Sequence, residues 1–224
     1  MYLSKDIIKE GNPDLVKKCE NVKLPLSKDD EDCIRSMAEY MLVSGNDELT
    51  KQYNIRPGVG IAAPQVDVLK RMFAMSCIDF LDENNTQYVF NWINPKIIAV
   101  SKEMTYLPDG EGCLSVDRDT KGLVTPRHVK IKVDGWIYNY GTRRVTKKTM
   151  TLIGYPAIVF QHEYDHLDGI LYTSKMYDPK DLDPSIFPLY TYEEDDSDSN
   201  NEENKWKHIT VLLEIHCIIN NYCF

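Results

Sequence analysis

The sequence predicts an α+β fold in which largely antiparallel β-sheets pack around a central helix. Between residues 59 and 153, short runs of β-branched and aromatic residues alternate with turn residues, which is typical of antiparallel strands. An amphipathic stretch precedes these runs, and a second helical stretch follows them. Grouping the strands between two helices, instead of alternating them, favours α+β over α/β.

The N-terminal amphipathic helix is predicted over residues 27–43. Ser27 and Asp30 have the spacing of a capping box at its start. Apolar residues then recur at the spacing of one helix face. The predicted stripe consists of Ile34, Met37, Ala38, Met41 and Leu42.

The strands and the second helix follow in order. The β-like runs cover residues 71–78, 88–93, 96–100, 129–136 and 146–152. The second helix is predicted over residues 156–168, since Pro156 suits a first helical turn and Gly169 suits the position just beyond a helix end.

Composition divides the 224-residue chain into two parts. Residues 1–188 are predicted to form one domain, and residues 189–224 an acidic, Asn-rich low-complexity segment followed by an apolar tail. The acidic segment is expected to be disordered, because it has little apolar surface to bury. A formal net charge of -9 argues against direct nucleic-acid binding. The absence of a long apolar run argues against a membrane span.

The strongest chemical signal is the run of residues 162–166, HEYDH. On a helix, His162 and His166 share one face, so both imidazoles can reach one metal ion. Glu163 can then reach a metal-bound water, take its proton and return it to a leaving amine. A chance match on a solvated face is the alternative, but the apolar residues just upstream place this helix in the core.

A catalytic site with two histidines needs a third protein ligand. The position that holds a third histidine in metzincin proteases is Tyr172, and the downstream acids Glu193 and Glu194 lie in the low-complexity run. Cys113, in a glycine-flanked stretch, is the best upstream candidate, because a thiolate is a strong ligand. Taken alone, Cys113 would more often be a small buried hydrophobe.

With these residues in place, the chain resembles the peptide deformylases. Three separated blocks match that family's motifs in order, and the resemblance extends over residues 6 to about 175. The blocks are residues 58–65 (GVGIAAPQ), 111–115 (EGCLS) and 161–169 (QHEYDHLDG).

The resemblance implies removal of the N-formyl group from the initiator methionine of new polypeptides. It implies Cys113, His162 and His166 as metal ligands and Glu163 as general base and acid. It implies that the Gln65 side-chain amide and the Leu114 backbone N–H are the oxyanion donors. It also implies that the substrate is bound by Val59, Gly60 and Ile158.

The resemblance also implies one divalent metal ion. Fe²⁺ is favoured in vivo, although Zn²⁺, Ni²⁺ and Co²⁺ also suit two imidazoles and a thiolate. N-formyl-methionyl nascent peptides are the expected partners, with transient proximity to the ribosome. The Asn- and Lys-rich composition favours a plastid-like organelle (an apicoplast), and a bacterial-type cytoplasm is the alternative.

Two other functions stay open from the sequence. A zinc endopeptidase shares the HExxH pattern but should take its third ligand from downstream. The other is a non-catalytic metal- or protein-binding module with the acidic tail as its contact surface. A structural metal site would have a closed shell of four ligands, whereas three ligands beside a glutamate indicate an open one.

Overall fold

The computed structural model describes residues 1–193 and 208–210, and these residues have the predicted α+β class with antiparallel sheets. The main sheet has five strands in the order β1-β2-β3-β6-β7, and every neighbouring pair is antiparallel. Three α-helices are α1 (Lys28–Ser44), α2 (Asp47–Tyr53) and α3 (Tyr155–Leu167). The strands are β1 (Gly60–Ala62), β2 (Met72–Ile78), β3 (Gln87–Val100), β4 (Met104–Tyr106), β5 (Arg127–His128), β6 (Lys130–Tyr138), β7 (Val145–Ile153), β8 (Phe187–Pro188), β9 (Thr191–Glu193) and β10 (His208–Thr210).

Helix α1 lies against β2. Its first turn is capped by Ser27, whose hydroxyl accepts the Asp30 N–H at 3.1 Å. The predicted apolar stripe is wrong at Leu42, which is 58% exposed, because the buried face turns toward Cys33 and Tyr40. Tyr40 is fully buried, and its hydroxyl donates to the Arg56 carbonyl.

The runs predicted at residues 88–93 and 96–100 form one strand, β3, so the predicted break between them is wrong. The register against β6 shifts between Ile93 and Lys96, and the shift accommodates Pro95, which has no N–H for the ladder. Asn94 adopts φ +48° there, and its side chain bonds both backbone groups of Val22 at 2.8 Å.

Helix α3 is buried along most of its length, because it packs against the main sheet and the short strand β5. Phe160 anchors one side, with ring centroids 5.1 Å from Phe73 and 5.4 Å from Trp92. The chain turns after the helix at Gly169, where φ is +72° and a Cβ would lie 2.5 Å from the Val16 carbonyl oxygen. Only glycine fits this turn.

The segment after residue 182 returns to the core. Strand β8 pairs in parallel with β4, and the Leu189 N–H donates to the Tyr106 carbonyl at 2.8 Å. Leu189 and Tyr190 are buried against Ile158, so packed residues continue past the boundary predicted at residue 188. Most of the predicted low-complexity segment and apolar tail lies outside the described residues. Within the described part, no helix is long and apolar enough to cross a membrane.

Candidate metal centre

Three buried side chains meet at the middle of the fold. His162 and His166 lie one turn apart on α3, with ring centroids 5.1 Å apart. Cys113, on the loop between β4 and β5, brings its Sγ to 3.4 Å from His166 Nε2. One ligand atom from each of the three lies within 4.8 Å of the others. The fold therefore brings together the three side chains that the sequence suggests as ligands.

The chemistry of this trio fits a divalent transition-metal ion. Burial by itself would raise the pKa of the Cys113 thiol, but His166 and His162 hold that pKa well below its ordinary value, which favours the thiolate. Two imidazoles and a thiolate suit Zn²⁺, Fe²⁺, Co²⁺ or Ni²⁺. Three protein ligands are typical of a catalytic metal site, which keeps a position open for water or substrate.

Behind the trio, Glu111 holds His162. Its Oε2 lies 2.8 Å from His162 Nδ1, and this contact leaves Nε2 of the ring for a metal. Arg127 pairs with Glu111 through two hydrogen bonds of 2.7 and 2.9 Å. Burial would raise the pKa of Glu111, but Arg127 and His162 lower it to about 2. Glu111 is therefore a permanent carboxylate at neutral pH.

The ion pairs continue from Arg127 to Asp165, which also binds Lys175 at 2.8 Å. Asp165 therefore reaches the ligands only through Arg127 and Glu111. Gln161 contacts no ligand, and it bonds the backbone N–H and carbonyl of His128 at 3.0 and 2.9 Å. Gln161 and Asp165 therefore form no hydrogen bond with Cys113, His162 or His166 among the described residues. Arg127 carried no local sequence signal, because it lies outside the predicted strand runs and its partners are distant along the chain.

On the cleft side, Glu163 is 4% exposed, and within the described residues its Oε2 has no hydrogen-bond partner. Burial raises the pKa of Glu163 to about 7. Gly60 faces this carboxyl group, and a Cβ at residue 60 would lie 2.2 Å from Glu163 Oε1. Position 60 therefore has to be glycine for Glu163 to occupy its place.

Gln65 contacts Cys113 from the turn after β1. Its Oε1 accepts the Ala62 N–H at 2.8 Å, which fixes the orientation of the amide, and its Nε2 donates to Ser115 Oγ at 3.1 Å and Cys113 Sγ at 3.3 Å. Gln65 is 1% exposed, which excludes a surface amide. The Leu114 backbone N–H donates to no acceptor in the part of the chain described.

These groups border one cleft of about 220 Å³. All the site residues suggested by the sequence line it except His166, whose ligand atom lies within 4.8 Å of those of Cys113 and His162. Val59, at the rim, is 39% exposed, whereas Ile158 is buried in the wall. Several further lining residues carried no signal in the sequence, because their roles depend on contacts between distant segments. They are Arg56, Pro57, Leu107, Tyr155 and Val159.

Comparisons with known proteins agree with this geometry. A family model described as Polypeptide deformylase matches residues 4–181. A curated peptide deformylase from Halalkalibacterium halodurans is 44% identical over 191 residues, covering 83% of this chain and 100% of the relative. Peptide deformylase 2 from Geobacillus stearothermophilus is also 44% identical over 191 residues, covering 84% and 99%.

Solved structures of peptide deformylases are also similar to this chain. A probable peptide deformylase from Synechococcus phage S-SSM7 superposes with a TM-score of 0.56 at 32% identity, covering 75% of this chain and 97% of that one. A class I type b peptide deformylase from Acinetobacter baumannii, solved with Met-Ala-Ser bound, gives a TM-score of 0.56 at 28% identity, covering 75% and 96%.

Proposed function

The chain belongs to the polypeptide deformylase family, and from this premise we propose how its own residues perform the reaction. As a member, it is an enzyme that removes the N-formyl group from nascent peptides, and metal dependence is general for the family. We propose that Cys113, His162 and His166 hold the metal ion. A bound divalent ion supplies a Lewis acid that acidifies water and polarises a carbonyl oxygen.

Glu163 moves the proton in this proposal. Water adds to the formyl carbon, the C–N bond breaks, and formate and a free amine leave. Glu163 takes the proton from the attacking water and delivers it to the amine nitrogen. The observation that supports this role is its burial without a hydrogen-bond partner for Oε2, which raises its pKa to about 7.

Gln65 and Leu114 stabilise the charge that develops on the formyl oxygen. The Gln65 amide is already oriented by the Ala62 N–H, and it points its Nε2 toward Cys113. The Leu114 N–H lies one residue beyond Cys113 on the cleft-lining loop. Fixed donors of this kind bind an oxyanion more strongly than a neutral carbonyl, so they lower the barrier and not only the KM.

The cleft walls fit a peptide with an apolar first side chain. Strand β1 is an edge strand of the main sheet, so the backbone next to Val59 and Gly60 can pair with an extended peptide. Ile158 and Leu107 provide apolar surface for a methionine side chain. The relative from Acinetobacter baumannii binds Met-Ala-Ser, which has the product's chemistry.

A zinc endopeptidase is the second candidate from the sequence. The position of Cys113 beside His166 argues against it, because the trio is completed from upstream. Fe²⁺ as the native ion, the plastid-like compartment and proximity to the ribosome stay predictions. Anaerobic purification followed by metal analysis of the whole chain tests the first of these.

The test of function measures formate release from a formyl-Met peptide alongside metal content. Cys113→Ala, His162→Ala and His166→Ala should each bind less than one metal ion per chain and lose activity. Glu163→Gln should keep its metal and lose about 10²- to 10⁴-fold in turnover. Full metal and activity in Cys113→Ala would show that the ligand assignment is wrong. Cleavage of internal peptide bonds at a comparable rate would favour the endopeptidase.

A further inference from the structure

A short N-terminal segment, residues 7–10, joins the two loops that carry the proposed oxyanion donors. The Ile8 N–H donates to the Gln65 carbonyl at 2.9 Å, and the Glu10 N–H donates to the Ser115 carbonyl at 2.8 Å. Ile7 is buried in the same core cluster as Leu114. The separation between the Gln65 turn and the Leu114 loop is therefore fixed partly by this segment.

The Lys9 side chain adds a further contact between this segment and the Leu114 loop. Its ammonium group donates to the Leu114 carbonyl at 2.9 Å and pairs with Asp117 at 3.0 Å. A hydrogen bond from a charged donor is stronger than one between neutral groups. The Lys9 side chain is 46% exposed and does not line the cleft, so it acts on the site only through the backbone.

The peptide group that Lys9 contacts also touches the metal centre. Its carbonyl oxygen, from Leu114, accepts from Lys9, and its N–H, from Ser115, lies 3.4 Å from Cys113 Sγ. A positive charge at the oxygen polarises the peptide and makes its N–H a better donor to sulfur. The N–H of the preceding peptide belongs to Leu114, which lines the cleft.

We propose that Lys9 is a positioning residue for deformylation. Through the Leu114 carbonyl it holds the loop so that the Leu114 N–H faces the substrate oxygen and the Ser115 N–H stays on Cys113 Sγ. The inference rests on the proposed function, since it assumes that Leu114 is an oxyanion donor and that Cys113 is a metal ligand.

The first test is steady-state kinetics of the full chain with its metal. Lys9→Met keeps most of the side-chain length but removes the donor, and kcat should fall about 5- to 20-fold, a partial loss because the bond is half exposed. KM should change by less than ~2-fold, because the ground-state carbonyl carries little charge. Lys9→Arg, which retains the charge and the donors, should restore most of kcat.

Two control variants separate this role from general effects. Lys5→Met removes an exposed lysine just before this segment and should leave kcat unchanged. Asp117→Asn weakens the ion pair but leaves the Leu114 contact, so it should have little effect. If Asp117→Asn reproduces the whole loss, the ion pair matters instead of the carbonyl contact, and the proposal is wrong.

The second readout is spectroscopic. In the cobalt-substituted protein, the thiolate-to-cobalt charge-transfer band should move to lower energy in Lys9→Met, because a weaker N–H···S bond leaves the sulfur richer in electrons. The band should not move in Lys5→Met. Should Lys9→Met lower only the melting temperature, with kcat and the band unchanged, Lys9 is merely structural and the proposal is overturned.

Glu163→Gln and Gln65→Leu, assayed in parallel, distinguish the two levels of inference. If both variants lose turnover while Lys9→Met matches the unmodified chain, only the Lys9 proposal fails. If both keep full turnover, the proposed mechanism itself fails. If Lys9→Met does not fold, Lys9→Gln provides a neutral donor, for which an intermediate loss of kcat is expected and full kcat would overturn the proposal.

Discussion

Two buried glutamates lie beside the histidine pair, and their surroundings differ. Glu111 is 9% exposed and is paired with Arg127 and His162. On the cleft side, Glu163 is 4% exposed, and its Oε2 has no partner among the described residues. The pKa of Glu111 is lowered to about 2 through Arg127 and His162 against the effect of burial, whereas burial raises that of Glu163 to about 7.

The difference shows how one residue type serves two purposes. A carboxylate fixed by a guanidinium group keeps its charge at every physiological pH, so it can orient a ligand but cannot exchange protons. A buried carboxyl group without such a partner has a pKa near neutrality, which suits a general base and acid. Pairing, more than burial, therefore separates the two roles.

The strongest test of this comparison removes Arg127, the partner of Glu111. Arg127→Met leaves Glu111 without its guanidinium group in the core, and we expect a loss of about 3–5 kcal/mol in the free energy of unfolding. Metal affinity should fall by about 10- to 100-fold, because His162 loses its orientation. Denaturant unfolding and metal titration measure the two effects.

The matched control for Arg127→Met is Lys70→Met, which removes a surface ion pair with Glu20. An exposed pair of this kind contributes about 0–1 kcal/mol. If Arg127→Met lowers the free energy of unfolding no more than Lys70→Met does, the ion pairs of Arg127 do not stabilise the fold as proposed.

The proposed oxyanion donor Gln65 can be tested by removing its amide N–H. Gln65→Leu keeps a similar volume but removes the amide N–H, and turnover should fall ~10²- to 10³-fold, which corresponds to about 2.7–4 kcal/mol. Metal content should stay at one ion per chain, because Gln65 is not a proposed ligand. Steady-state kinetics on a formyl-Met peptide provide the measurement. An unchanged kcat would remove Gln65 from the mechanism.

The opposite pKa shifts predict opposite pH dependences of stability in the protein freed of metal by a chelator. Because the pKa of Glu163 is raised from 4.5 to about 7, its contribution is fully present below pH 4.5 and is lost as pH rises toward 7. Because the pKa of Glu111 is lowered, its contribution is present above pH 4.5 and is lost as pH falls toward 2.

Glu163→Gln removes the first of these dependences. The variant should therefore gain stability relative to the unmodified chain as pH rises from 4.5 to 7, by up to about 3 kcal/mol. Unfolding by urea at pH 5 and pH 8 measures the change. The same stability difference at both pH values would show that the pKa of Glu163 is not raised in the folded chain.

The smallest expected effect concerns the glycine that makes room for Glu163. In Gly60→Ala the new methyl group would displace the carboxyl group, because the Cβ position lies 2.2 Å from Oε1. We expect a loss of about 10²-fold in kcat from the misplaced base, with metal content retained. Gly141→Ala is the control, since its Cβ would lie no closer than 3.7 Å to any other group. Full activity in Gly60→Ala would show that the carboxyl group can move without consequence.

The sequence by itself determined the class of fold and most of the centre. Short strand-like runs separated by turn residues and grouped between two helical stretches predicted the antiparallel arrangement, because these signals come from residues close together along the chain. The spacing of His162 and His166 fixed two ligands, because one helical turn sets their separation regardless of the rest of the chain. The blocks around Gln65 and Cys113 identified the family and with it the chemistry.

Only the tertiary structure decided what depends on distant segments meeting. Arg127 joins Glu111 and Asp165, which lie 16 and 38 residues away in the sequence. Lys9 reaches Leu114 across 105 residues. Pro95 stays inside β3 because of a register shift against β6. Hydrophobic periodicity and helical spacing describe neighbours along the chain, whereas ion pairing and burial depend on the energy of groups that only folding brings into contact.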